Sequence, residues 1–251
     1  MRSRLVIILF FTSLIIILSL LLVCKLNSYK EKMRFRLDPL EEYRLELRSD
    51  LEENGFWIIG DSRASNWETS QLDFIRIKSM NLGIGGQTSR QVLERFRNDL
   101  ERSRPYCVLI QVGINDLKSI GFLKDKSITH SCIRNILQIL ETCKENEIKA
   151  IYSSIFPLGD IELYRKPFWE PTTIDSLMRV NDEIRDYCQQ NGFIYFDTYT
   201  LLENQISPGS VVTEYQKGFL HINARGYEHI SDRLQELLGS SDEDWVQYLI
   251  E

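Results

Sequence analysis

Four short blocks of the chain carry residue types that could act together on a substrate: Gly60-Asp61-Ser62, then Asn81-Leu82-Gly83-Ile84-Gly85-Gly86-Gln87-Thr88, then Gly113-Ile114-Asn115-Asp116, and last His221-Ile222-Asn223. A serine hydroxyl is a weak nucleophile until a base such as imidazole takes its proton. Ser62 and His221 supply those two types. Attack on an acyl carbon creates an oxyanion that needs fixed donors, and losing one typically costs about 3–4 kcal/mol. Gly83 permits close backbone approach, so its N–H can point into a site. The Asn115 side-chain amide offers a second donor and the N–H of Ser62 a third.

Each block also has a plain structural explanation. Serine is a common helix N-cap, the glycines suit a strand-to-helix turn, and Asn115 suits a local turn. Asn223 reads as the N-cap of the last helix. Asp61 and Asp116 read as braces for their own turns, and His130 and His229 as structural or exposed residues of helices. The case for chemistry rests on all four blocks occurring together.

The elements that must position them follow from periodicity. Strand-like apolar runs occupy Phe56–Ile59, Ile75–Leu82, Cys107–Val112, Ala150–Ile155 and Phe193–Phe196, and helix-like runs occupy Ser89–Arg102, Ile128–Glu147, Ile174–Asn191 and Ala224–Leu238. Short apolar strands alternating with amphipathic helices predict parallel βαβ units and a sheet covered on both faces. Loops after successive parallel strands gather on one edge. Ser62, Gly83 and Asn115 can therefore converge, with His221 brought over them by a late loop. Two long irregular inserts, 160–173 and 205–220, are candidates for substrate walls. Tyr164, Phe168 and Trp169 of the first could line an acyl pocket or stack on sugars, and Trp67 could wall the site.

The four blocks, in this order, resemble those of the SGNH or GDSL-type hydrolases, over roughly residues 54–238. The resemblance implies a flavodoxin-like three-layer α/β/α fold with about five parallel strands. It also implies cofactor-free hydrolysis of esters or thioesters, with Ser62 as nucleophile, His221 as base and acid, and Ser62, Gly83 and Asn115 as the oxyanion hole. Two positions depart from the family pattern. Arg63 stands where the family often has leucine, a change expected to affect packing or the site rim. Gly218 stands where an aspartate three residues before the histidine would orient the ring. Glu214 is a candidate substitute for that acid, and a serine–histidine dyad oriented by a backbone carbonyl is an equal alternative.

Composition narrows the rest. Residues 1–36 hold seven Lys/Arg and one Glu, leaving 23 basic and 35 acidic residues in the other 215, a net charge of −12. An acidic body argues against nucleic-acid binding. The five cysteines at 24, 107, 132, 143 and 188 form no C-x-x-C pair, and three scattered histidines lack metal-ligand spacing, so neither a metal site nor a redox dithiol is expected. Leu5 to Cys24 is apolar and long enough to cross a bilayer, which predicts an uncleaved anchor, with a connecting helix over 37–53 and a peripheral tail over 239–251. The positive-inside count would hold the domain in the cytoplasm. The very short basic N-terminus reads instead as a signal anchor, and export is the expectation taken forward. The expected activity is thus that of a membrane-anchored serine hydrolase on O-acyl glycans or lipid acyl esters. The alternatives are an inactive surface or assembly protein of the same fold and, below it, a nucleotide-binding protein, for which Thr88 breaks the glycine fingerprint.

Overall fold

The computed structural model describes residues 2–37, 51–161, 163, 166, 169 and 171–250. Most of the expected connecting helix, along with Tyr164 and Phe168, lies outside those residues.

Five strands form one parallel sheet: β1 (Phe56–Gly60), β2 (Ser79–Asn81), β3 (Cys107–Gln111), β4 (Lys149–Ser153) and β5 (Ile194–Phe196). Their order is β2-β1-β3-β4-β5, the flavodoxin-like arrangement. β1 and β3 are buried along their whole length and run in register, Ile58 beside Leu109 and Gly60 beside Gln111. Their side chains alternate between two cores. Trp57, Ile59, Val108 and Ile110 face one, while Phe56, Ile58, Cys107 and Leu109 face the other. A continuous apolar run suits a strand covered on both faces, and each fully buried Ile or Leu contributes about 2 kcal/mol.

The first core is closed by α3 (Ser89–Leu100), α6 (Ser127–Glu145) and α7 (Thr173–Asn191). Thr88 and Gln91 form a capping box that starts α3, as expected of a Thr three residues before a Gln. The second core is closed by α9 (Ala224–Gly239), which buries Tyr227, Ile230, Leu234 and Leu238 at helical spacing. The closing residues, expected to be peripheral, instead form α10 (Asp244–Ile250). Val246 and Leu249 of α10 are fully buried, and the Leu249 carbonyl accepts from the Arg76 N–H at 2.7 Å. That contact also explains why β2 is shorter than its apolar run: the chain at Arg76 turns to meet α10 before pairing with β1. The cysteines at 107, 132, 143 and 188 are free and buried.

Short helices follow the strands at the carboxyl edge: α2 (Ser62–Ser65) after β1, then α4 (Ile114–Leu117) and α5 (Ile120–Leu123) after β3, and α8 (Thr198–Leu202) after β5. A two-stranded antiparallel hairpin, β6 (Gln216–Lys217) and β7 (His221–Ile222), precedes α9. At the other end of the chain, α1 (Arg2–Leu37) contains the one described helix long and apolar enough to cross a membrane, with mean hydropathy 3.2 and none of its apolar window buried. Near its end Tyr29 packs on Phe122 of α5, ring centroids 4.9 Å apart.

Candidate active site

Strand order reverses between β1 and β3, the kind of switch point outside whose carboxyl strand ends open α/β sheets place their sites. Gly60 ends β1 at φ +148, where a Cβ would lie 1.8 Å from the Gln111 carbonyl oxygen. Only glycine fits between two strands this close. Asp61 then caps α2, its Oδ1 accepting from the Arg63 N–H at 2.8 Å. That brace fixes Ser62 as the first residue of the helix. Burial, opposed by the Arg63 charge and local N–H groups, pushes the Asp61 carboxyl up to about 6.

Ser62 Oγ lies 2.8 Å from Nε2 of His221, residues 159 apart in the chain. The hairpin β6–β7 delivers the histidine, and Asn223 caps α9 immediately after it, with Oδ1 accepting from the Gly226 N–H and Nδ2 donating to the Glu214 carbonyl at 2.7 Å. Half-burial holds the His221 imidazole below its ordinary value of 6.5, and the cations of Arg63, Lys217 and Lys118 push the same way. No described carboxylate offsets them. Glu214 is exposed in the turn before β6, and its backbone carbonyl rather than its side chain serves the hairpin. At Gly218, φ is +70 and no described atom lies within 4 Å of where a side chain would begin, so position 218 itself supplies no group to the ring. A lowered imidazole pKa keeps the ring unprotonated further into acid. The acid limb of a kcat/KM pH profile is therefore expected below 6.5, and a limb at or above 6.5 would show that an unseen acid supports the ring.

On the opposite side, Asn115 sits in α4 at the end of β3. Its Nδ2 donates to the Gln87 carbonyl at 2.9 Å, and its Oδ1 accepts from Lys118 Nζ at 2.6 Å. The amide is thus fixed at both ends, with one N–H to spare. Lys118 carried no signal in the sequence beyond its place three residues after Asn115. Asp116 reaches the other way, accepting from the N–H and hydroxyl of Ser89 at 2.8 and 2.6 Å, and so joins α4 to the start of α3.

Gly83 is placed differently from the expectation. Its N–H donates to Asn81 Oδ1 at 2.8 Å, and a Cβ there would lie 2.3 Å from the Ser65 nitrogen, so it packs against the far end of α2. Asn81 completes a clip by donating to the Ala64 and Trp67 carbonyls at 2.8 and 2.7 Å. The glycine beside the serine is Gly85, where a Cβ would stand 3.8 Å from Ser62 Cβ. Gly86 follows at φ +81. Among the described residues, the N–H groups of Gly85 and Gly86 make no hydrogen bond. The spent N–H of Gly83 is visible only once the Asn81 side chain is placed.

The aromatic residues divide. Trp67 is fully buried, its Nε1 donating to Ser231 Oγ at 2.8 Å, so it packs the second core and walls nothing. Trp169 meets Phe219, two residues before His221, edge to face at 4.7 Å. His229 stacks on Tyr215 at 5.1 Å, and His130 Nε2 lies 3.0 Å from Arg179 on the surface.

A five-stranded parallel sheet between two helical layers, with these four blocks on its carboxyl edge, defines an α/β ester hydrolase. The chain belongs to the GDSL-like lipase/acylhydrolase family, whose profile matches residues 54–229. It is 25% identical over 191 residues to platelet-activating factor acetylhydrolase IB subunit alpha2 of Homo sapiens, covering 72% of this chain and 74% of that one. A GDSL-like lipase from Bacteroides thetaiotaomicron superposes with TM-score 0.61 at 23% identity, over 76% of this chain and 91% of its own. A carbohydrate acetylesterase family member from Sinorhizobium meliloti superposes with TM-score 0.56 at 11% identity, over 73% and 97%.

Proposed function

We propose that the protein is a membrane-anchored serine hydrolase that removes short acyl groups from glycans or lipids through an acyl-enzyme. The observation that carries this reading is the 2.8 Å contact between Ser62 Oγ and His221 Nε2, within the range for proton transfer from a nucleophile to its base. In this mechanism His221 takes the Ser62 proton as Oγ attacks the acyl carbon. The oxyanion accepts from the Ser62 N–H, the free N–H of Asn115 and the Gly85 or Gly86 N–H, in place of Gly83. His221 then returns the proton to the leaving alcohol, and a water activated by the same ring frees the acid. The three cations near the ring favour the oxyanion and disfavour the imidazolium, a balance that keeps the base unprotonated at the expense of its strength.

Two relatives are named for acetyl groups, one on platelet-activating factor and one on carbohydrate, and this supports a short acyl chain. The hydropathy of α1 supports the anchor. A non-catalytic reading draws on Gly218, and the Ser62–His221 contact favours the enzyme. The test is a fluorophosphonate probe on the folded protein, followed by an ester panel with product identification. Labelling at Ser62 and hydrolysis of acetyl esters are expected, and a folded sample that neither labels nor hydrolyses would leave the surface-protein reading standing. A reporter fused after Glu251 reads the side of the membrane, with an exported signal expected.

A further inference from the structure

Arg63, expected to affect packing or the site rim, has a fully buried side chain. Nε donates to the Leu220 carbonyl at 2.8 Å, Nη1 to the Phe156 carbonyl at 3.0 Å and Nη2 toward the Pro157 carbonyl at 3.4 Å. The guanidinium also lies over the Phe156 ring, 5.0 Å from its centroid. Its own carbonyl accepts from the Tyr227 hydroxyl of α9 at 2.8 Å. Arg63 follows the nucleophile in sequence, and Leu220 precedes the histidine. The Arg63–Leu220 bond therefore closes a ring of contacts whose other closure is Ser62 Oγ to His221 Nε2.

We propose that Arg63 is the positioning residue for His221, clamping the backbone of its hairpin to α2 and to the loop after β4 where the usual acid is absent. The inference rests on the serine-hydrolase reading above. An aspartate at 218 would act on the ring, whereas Arg63 acts on the peptide that carries the ring. A buried guanidinium suits the task because its rigid fork serves several carbonyls in different directions, which a lysine ammonium on a flexible stem does not reproduce. The charged groups facing His221 are Arg63 from α2, Lys217 from β6 and Lys118 after α4. Removing the first relieves a repulsion that holds the imidazolium down.

The test compares Arg63→Met and Arg63→Lys with wild type, using the full chain in detergent and p-nitrophenyl acetate as substrate, with circular dichroism confirming the fold at the assay temperature. Arg63→Met is expected to lose about 100-fold in kcat, the scale of an ångström-level misplacement, with little change in KM and with the acid limb moved to higher pH. Arg63→Lys is expected to lose most of kcat while keeping the acid limb in place, because the charge remains and the fork is gone. A merely structural role would lower stability and leave the kcat of the folded fraction unchanged in both variants, Arg63→Met still moving the limb through its lost charge. A folded variant of either kind with kcat near wild type overturns the proposal, and if Arg63→Met does not fold, Arg63→Lys decides alone. Ser62→Ala run in parallel separates the two layers: turnover persisting there removes the serine-hydrolase reading and this inference with it, whereas its loss beside an unaffected Arg63→Lys removes only the inference.

Discussion

Replacing Ser62 with alanine is expected to lower kcat by about 100,000-fold, and His221→Ala by a similar factor, with the double variant hardly worse than either alone. Nucleophile and base act as one unit, so removing one leaves the other without a task, and such losses do not add. The residual rate over water would come from oxyanion donors and substrate binding. Both side chains are half-buried, and neither belongs to either apolar core. Melting temperatures should therefore stay close to wild type. The measurement is steady-state hydrolysis of p-nitrophenyl acetate beside thermal melts. A Ser62→Ala protein retaining a tenth of wild-type kcat would assign the nucleophile elsewhere.

The largest effect on the fold is expected from a methyl group at Gly60. A Cβ would lie 1.8 Å from the Gln111 carbonyl oxygen and 2.7 Å from its carbon, at φ +148. Those atoms are backbone of the paired central strand, so relief requires separating β1 from β3. The loss should exceed about 4 kcal/mol, the range reserved for severe steric or buried-network defects, against a total stability of about 5–15 kcal/mol. Gly60→Ala should fail to accumulate as folded protein. Gly239→Ala serves as control, since no atom lies within 4 Å of its Cβ position and alanine is the better helix former. Urea unfolding of both variants checks the pair, and a Gly60→Ala domain with a near-normal midpoint would show that the strands can part there.

Much of the architecture is legible in the chain because β1 and β3 are unbroken apolar runs and α6, α7 and α9 keep an apolar face. Where sequence reasoning stops short, tertiary contacts decide. Ile75 to Lys78 has the composition of a strand, yet its path is taken by the bond from Arg76 to Leu249. The tail carries Trp245, Val246 and Leu249 at helical spacing but in a seven-residue element, too short to stand out among polar neighbours. Within the candidate site, residue type and order single out Ser62, Asn115 and His221, and the structure brings Ser62 and His221 into contact. The choice among Gly83, Gly85 and Gly86 is not, because all three share one turn and the spent N–H is set by the Asn81 side chain. Arg63 is the least legible of all: its acceptors are main-chain carbonyls at 156, 157 and 220, which no residue type announces.

The contact between Tyr29 and Phe122 also bears on how substrate is found. Tyr29 lies five residues beyond Cys24, where the apolar stretch ends, about 8 Å at the rise of an α-helix. Phe122 belongs to α5, on the same edge of the sheet as Ser62. On the proposed reading of α1 as a membrane anchor, this contact would hold the candidate catalytic edge close to the headgroups. Encounters are then governed by the surface density of acyl groups in that leaflet more than by their bulk molarity. A membrane-borne ester gains from this confinement, and a freely diffusing one does not.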